Sequence, residues 1–343
     1  MPSKDGILCD AAGTASADRP SDSDGTAVWA LSAAIVTGEK PVSAFVSPPA
    51  PSAIASATIH AVNPKVPILA EIVEQKRREV EAAKARTPFA ELEAMVAQEE
   101  EPRNFFAAVT RHPSLDHTSV IAEIKRKSPS AGLIRAEYEG DAFAPEDIAK
   151  RYHRAGAAAI SCLTDEHFFG GRLSFIQRVK DAVPLPVLRK DFIIDPWQLW
   201  ESRAAGADAV LLIAECLTEG ELVDLLILAQ QLRLTVLIEI HEMENLLKVR
   251  PHIGFPHPSY SLLGINNRDL SSMKVDLAHT MRLVELVDDR SVLVSESGIK
   301  TRADLERLRS VGVRIVLVGE HLMRQPDPGD ALHELIHGTR RTS

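Results

Sequence analysis

From about residue 120 the chain repeats one pattern, a short apolar run followed by a longer amphipathic stretch. The runs are VIAEIK at 120–125, AAISCLT at 158–164, PVLRKDF at 186–192, DAVLLIAE at 208–215, TVLIEIH at 235–241, YSLLGINN at 260–267, SVLVSES at 291–297 and RIVLVGE at 314–320. Helical segments fall between them, such as 146–155, 173–182, 219–231 and 302–310. Eight strand-helix repeats in about 220 residues are the arithmetic of an α/β fold of the (β/α)8 TIM-barrel type. A doubly wound open sheet is the alternative, but it leaves edge strands and usually carries a nucleotide fingerprint that is not found in this chain.

Ahead of the repeats, Ile68, Leu69, Ile72, Val73 and Val80 stand at helical spacing among Glu, Lys and Arg, whose charges read as a solvated face. Thr87-Pro88 reads as an N-cap followed by proline at the first helical position, opening a second helix through about Ala97. Two additional N-terminal helices are therefore expected before the first strand. Residues 1–62 are rich in Ala, Ser, Pro and Asp without sustained periodicity, which predicts a disordered or loosely docked extension. Residues 63–343 make up the barrel with its leading helices, as one catalytic domain.

Composition narrows the function classes. The 343 residues are 45% hydrophobic, enough for a sizeable core. A formal net charge of −9 argues against nucleic acid or an anionic membrane as the main partner and leaves room for a small anionic ligand. The apolar run VWALSAAIV at 28–36 is far shorter than the roughly 20 residues a membrane crossing needs. Asp5, Asp10, Asp18, Asp22 and Asp24 precede it, where signal and transit peptides avoid acid. Cys9, Cys162 and Cys216 form neither a paired framework nor a CxxC motif, and read as free thiols of a reducing cytoplasm. His241, His252 and His257 match no ligand pattern; they read as solvated surface histidines and no metal is expected. The loop 251–259, PHIGFPHPS, is long for its position and suggests no function.

In such barrels the strand C-termini and the loops after them build the active site, while inward side chains below them mostly pack. With a period of two, Glu123 and Lys125 share a face, as do Leu188, Lys190 and Phe192, then Leu237, Glu239 and His241, then Gly264, Asn266 and Arg268. A structural ion-pair layer could explain one such pair. Polar groups at the same height on four strands point instead to a site.

The stretches IAEIKRKSPSAG, LTDEHFFGG, LRKDFIID, LIEIH, GINNRDL, SESGI and LVGEHLM, in this order, resemble the strand-end motifs of the indole-3-glycerol phosphate synthase family. The resemblance covers roughly residues 66–340. It implies a cofactor-free reaction of tryptophan biosynthesis, a carboxy-lyase ring closure. The substrate would be 1-(2-carboxyphenylamino)-1-deoxyribulose 5-phosphate, converted into indole-3-glycerol phosphate, carbon dioxide and water. It further implies a small phosphorylated substrate, a cytoplasmic setting and, as candidate partners, other tryptophan-pathway enzymes.

That chemistry assigns tasks to residues. Ser297, Gly298, Gly319 and Glu320 stand after the seventh and eighth strands, where barrels commonly grip phosphate, and Ser128 can add a hydroxyl as its family counterpart does. The Glu320 carboxylate would repel the anion, so only its backbone N–H is expected to contribute while the side chain turns away. Lys190, by its match to the RKDF motif, would stabilise or protonate the carbonyl oxygen, and Lys125 would be the second functional lysine, with the steps undivided between them. Glu239 is the base for dehydration, and Glu123 pairs with a lysine. Asn266 and Arg268 either bond the intermediate's hydroxyls or orient Glu239. Phe192 and Phe169 supply an apolar wall for the ring, and the leading helices cover the mouth. Two other readings remain open: a Schiff-base aldolase with Lys190 as nucleophile, and a catalytically dead barrel kept as a scaffold.

Deleting residues 1–60 should leave thermal unfolding and turnover nearly unchanged, because no core-forming pattern lies there. A large drop in melting temperature would show the segment to be docked.

Overall fold

The computed structural model describes residues 66–338, apart from 112, 113, 115, 141 and 142. The expected extension at 1–62 and Cys9 lie outside the described residues. Three helices come first: α1 (Pro67–Arg86), α2 (Phe89–Val96) and α3 (Phe105–Thr110). The first barrel strand β1 (Ser119–Ile124) follows, then a small antiparallel pair, β2 (Lys127–Ser128) and β3 (Gly132–Leu133), in the loop after it. Strand and helix then alternate: α4 (Pro145–Ala155), β4 (Ala159–Leu163), α5 (Phe175–Ala182), β5 (Val187–Lys190), α6 (Pro196–Ala204), β6 (Ala209–Ile213) and α7 (Glu219–Gln231). The second half runs β7 (Thr235–Ile240), α8 (Met243–Val249), β8 (Ser261–Asn266), α9 (Ala278–Leu283), β9 (Leu293–Glu296), α10 (Arg302–Ser310) and β10 (Ile315–Val318). Two helices, α11 (Glu320–Met323) and α12 (Pro328–His337), end the described chain.

The strands β1, β4, β5, β6, β7, β8, β9 and β10 pair in that order, all parallel, and β10 returns to β1 to close the barrel. Closure leaves no edge strand, which disposes of the open-sheet alternative. Strands such as SVIAEI and TVLIEI are buried along their whole length because one face fills the barrel and the other meets the helices. Crossover helices begin where the sequence supplies caps. Asp195 with Gln198, Thr218 with Glu221 and Thr301 with Asp304 form reciprocal capping boxes at α6, α7 and α10. Gly156 ends α4 in the left-handed region at φ 95°, where a side chain would be strained.

The leading segment departs from expectation in three ways. A third helix, α3, is present, capped by Asn104. Thr87 ends α1 rather than capping α2; Pro88 occupies the cap position in extended geometry, and the Thr87 carbonyl accepts from Trp197 Nε1. Third, the charged face of α1 is not wholly solvated. Lys76 is 5% exposed, and its ammonium lies 2.9 Å from Asp165 and 2.9 Å from Asp191, with Glu79 at 2.8 Å. Arg189 pairs with Asp191 from the other side and with Glu201. Helical spacing finds the apolar stripe of α1 but cannot show that a lysine beside it meets two aspartates about 90 and 115 residues away in sequence.

Burial would raise the Asp191 carboxyl, but Lys76 and Arg189 outweigh it and hold the group below the usual carboxylate range. A depressed folded-state value means stability that is present above about pH 4, the unfolded value, and is lost as pH falls toward the folded one. Lys76→Met leaves two buried carboxylates without their shared cation and should destabilise the fold by about 3 kcal/mol. Denaturant unfolding at pH 7 measures the loss, and the variant's acid limb should be shallower than the wild type's.

Candidate active site

Side chains in a barrel interior stack in layers contributed by alternate strands. The uppermost layer here is charged. Glu123 from β1, Lys190 from β5, Glu239 from β7 and Glu296 from β9 are the first, third, fifth and seventh barrel strands, and all four line one cavity. Lys190 Nζ stands 2.5 Å from Glu239 and 3.2 Å from Glu296. Lys125, one step beyond β1, lies 2.6 Å from Glu123. Two of the intervening strands leave space at this height. A Cβ on Gly319, just after β10, would overlap the Glu123 carboxylate, and one on Gly264 of β8 would overlap Glu296 Oε1.

Burial sets the electrostatics. Desolvation alone would lower the Lys190 ammonium, but Glu239, Glu296 and Glu123 outweigh it and hold the value above its ordinary range. Burial would raise Glu239, yet the charges of Lys190 and His241 and the hydrogen bonds from Lys190 and Asn266 bring it down and keep it ionised. Glu296 goes the other way: burial, then its neighbour Glu239, push it up to about 8, with Lys190 only partly compensating. Glu239 and Glu296, both beside Lys190, are thus shifted in opposite directions. Lys190 stays charged, which opposes the Schiff-base reading, since an amine nucleophile needs a lowered value.

The expected residues converge on this cavity. Asn266 Nδ2 donates to Glu239 Oε1 at 3.0 Å, and its Oδ1 accepts from the Arg268 backbone. Phe169 and Phe192 tilt toward each other with ring centroids 6.0 Å apart, while Ile68, Leu69 and Ile72 of α1 complete the apolar side. Ser128 lines the same cavity. Ser297, Gly298, Gly319 and Glu320 meet Lys125 and Arg268 in an adjoining recess that also takes in Lys300 and Arg324. Ser297 and Gly298 both adopt positive φ, 64° and 83°, so this loop turns sharply. Asn267 pins it: its amide donates to Ser295 Oγ and to the carbonyls of Glu296 and Ser297. At the recess one expectation fails. The Glu320 carboxylate does not turn away; it pairs with Arg268 at 3.0 Å and Arg324 at 2.9 Å, because two guanidiniums at the recess attract it more than an open surface does.

A family model described as indole-3-glycerol phosphate synthase matches residues 69–335. The chain belongs to the indole-3-glycerol phosphate synthase family. The enzyme of that name from Rhodospirillum rubrum is 45% identical over 269 residues, covering 78% of this chain and 98% of the relative. The Acidithiobacillus ferrooxidans enzyme is 45% identical over 272 residues, with the same coverage. Among solved structures, a 3-hexulose-6-phosphate synthase from Salmonella typhimurium overlays with a TM-score of 0.50 at 14% identity, covering 64% of this chain and 97% of that one, and this likeness concerns the barrel alone. The chain is accordingly a carboxy-lyase of tryptophan biosynthesis that acts on a phosphorylated small molecule. No described helix is long and apolar enough to cross a membrane.

Two residues at the site were not anticipated. Glu296 follows the same rule as Glu123 and Lys190, a charge at a strand end, and the alternate-strand layer would have found it. His241 is not a solvated surface histidine, since its side chain is 7% exposed and its ring lies 3.2 Å from Glu239 and 3.3 Å from Glu215. Its place on the Glu239 face was legible; the grouping with His252 and His257 misdirected the reading.

Gly319→Ala should push Glu123 off Lys125 without touching the core below. Turnover should fall at least about tenfold, with a melting temperature close to wild type. Unchanged turnover would mean the Glu123–Lys125 pair tolerates displacement.

Proposed function

We propose that this site closes the indole ring on 1-(2-carboxyphenylamino)-1-deoxyribulose 5-phosphate, with Lys190 as the acid and Glu239 as the base. The observation that carries the reading is the 2.5 Å contact between Lys190 and Glu239 in a buried layer, a charged acid beside an ionised base at the barrel mouth. Attack of the ring carbon on the ketone builds negative charge on oxygen, and an ammonium in a partly dry cavity stabilises and protonates it. Loss of carbon dioxide restores aromaticity. Dehydration then expels the former ketone oxygen as water, while Glu239 takes a proton from the neighbouring carbon.

The remaining roles follow from position. Lys125, held by Glu123, lies between the reacting centre and the recess, where its charge serves the carbonyl oxygen, the phosphate or both. Asn266 orients Glu239, and Arg268 reaches the substrate's polar groups from the recess edge. Ser128, Ser297, Gly298, Gly319 and the Glu320 backbone form the phosphate grip, with the Glu320 carboxylate engaged by Arg268 and Arg324. Phe169 and Phe192 seat the aromatic ring. The acidic chain and the buried free thiols of Cys162 and Cys216 suit the cytoplasm, and other enzymes of tryptophan biosynthesis are the natural partners.

Lys190→Met keeps the aliphatic stem and removes the charge, so it should retain the fold and lower turnover by at least about 10²-fold. Lys125→Met should also slow the reaction. Indole fluorescence reads turnover and thermal unfolding controls for folding. Both variants melting far lower, with normal turnover by the folded fraction, would make the layer structural and the reading wrong.

A further inference from the structure

The run Asn266-Asn267-Arg268 at the end of β8 sends its three side chains to three places. Alternation along a strand turns neighbours to opposite sides. Asn266 points into the cavity, to Glu239 at 3.0 Å. Arg268 reaches the recess, where it meets Glu320 at 3.0 Å. Asn267, between them, lines neither space and is 3% exposed. Its amide engages the turn after β9 instead. Nδ2 donates toward Ser295 Oγ at 3.0 Å, the Glu296 carbonyl at 2.9 Å and the Ser297 carbonyl at 3.1 Å. Oδ1 accepts from the Thr280 backbone N–H at 2.9 Å and from the Thr280 hydroxyl at 2.8 Å. One side chain thereby ties α9, the end of β9 and the turn beyond it together.

That turn needs a hold. Ser297 is not glycine, yet its φ is 64°, and a side-chain-bearing residue keeps such a backbone only where its surroundings over-determine it. Gly298 follows at φ 83°, packed so that a Cβ there would come 2.6 Å from Val275 Cγ1 in the loop after β8. Successive N–H groups in a tight turn form a concavity suited to an anion. The N–H groups of Gly298 and Ile299 make no hydrogen bond among the described residues, and both residues line the recess with Lys125 and Lys300. We propose that Asn267 is the positioning residue of the phosphate grip: without touching the substrate, it fixes the Ser297–Gly298 turn in the geometry that offers these N–H groups to the phosphate. The inference rests on the reading of this loop as the grip. It also gives the adjacent asparagines a joint role. Asn266 orients the base and Asn267 orients the anchor, so one strand end sets the distance between phosphate and reacting carbon.

A residue that orients the grip makes a demand that a general support of the fold does not: its loss weakens only ligands that carry phosphate. The probes are indole-3-glycerol phosphate and its dephosphorylated counterpart, each measured as a competitive inhibitor of the full chain. In Asn267→Ala the inhibition constant of the phosphorylated compound should rise at least about tenfold, while that of the dephosphorylated one stays within about twofold. KM should rise with the first, and kcat should stay within about threefold of wild type, the pattern of a binding interaction made equally before and during the reaction. Thr280→Val leaves the Asn267 amide in place but removes one donor to its oxygen, so it should show the same split at about threefold. It carries the test if Asn267→Ala melts far below wild type. Equal weakening of both compounds would make Asn267 a support for the whole site, and a fall in kcat with unchanged inhibition would place it with Asn266 and Glu239. No change in either would make it a bystander. Each of these results overturns the proposal. Gly298→Asp keeps the two failures apart. If it retains the preference for the phosphorylated compound, the grip lies elsewhere; if it loses that preference while Asn267→Ala and Thr280→Val keep it, only the positioning role falls.

Discussion

One ammonium among three buried carboxylates governs the upper half of this barrel. Lys190 touches Glu239 and Glu296 directly and feels Glu123 across the layer. Carboxylates are costly to take out of water unless a cation and hydrogen bonds answer them. The layer answers them unequally. Glu239 receives Lys190 and Asn266 and is held low, while Glu296, with one oxygen making no hydrogen bond among the described residues, is pushed up. Two chemically identical side chains on alternate strands thereby shift in opposite directions.

A second charged cluster, behind the first, fastens the cover. Lys76 on α1 is buried between Asp165, after β4, and Asp191, the residue next to Lys190. One and two turns earlier on the same helix, Ile72 and Leu69 line the cavity. The helix that lines the cavity is thus held by the neighbour of Lys190, and Arg189 on the other side of Lys190 joins the same network through Asp191 and Glu201. A disturbance of α1 would reach Lys190 through adjacent backbone rather than across the cavity.

Much of this was legible in the sequence, for physical reasons that also explain the gaps. Strand period and repeat length fix the barrel, and a charge at a strand end is conspicuous because the rest of the strand must be apolar. Glu123, Lys190, Glu239 and Asn266 were found that way, and the structure gathers them into one cavity. Lys76 and Glu320 were misjudged because their partners are distant in sequence. A lysine on an amphipathic helix looks solvated until two aspartates appear opposite it, and a glutamate beside an anion site looks repelled until two arginines do. The third leading helix, six residues long, offers too little periodicity to separate from a loop.

The glycines at 264 and 319 are as much a part of the layer as the carboxylates whose space they leave open. At these two places the carboxylate fills the space a neighbouring Cβ would take, so the long polar side chain on one strand requires its absence on the strand beside it. For anyone transplanting such chemistry onto another barrel, the unit to move is a pair of positions, a functional residue and an empty neighbour. A graft that carries the glutamates alone would find their places already filled.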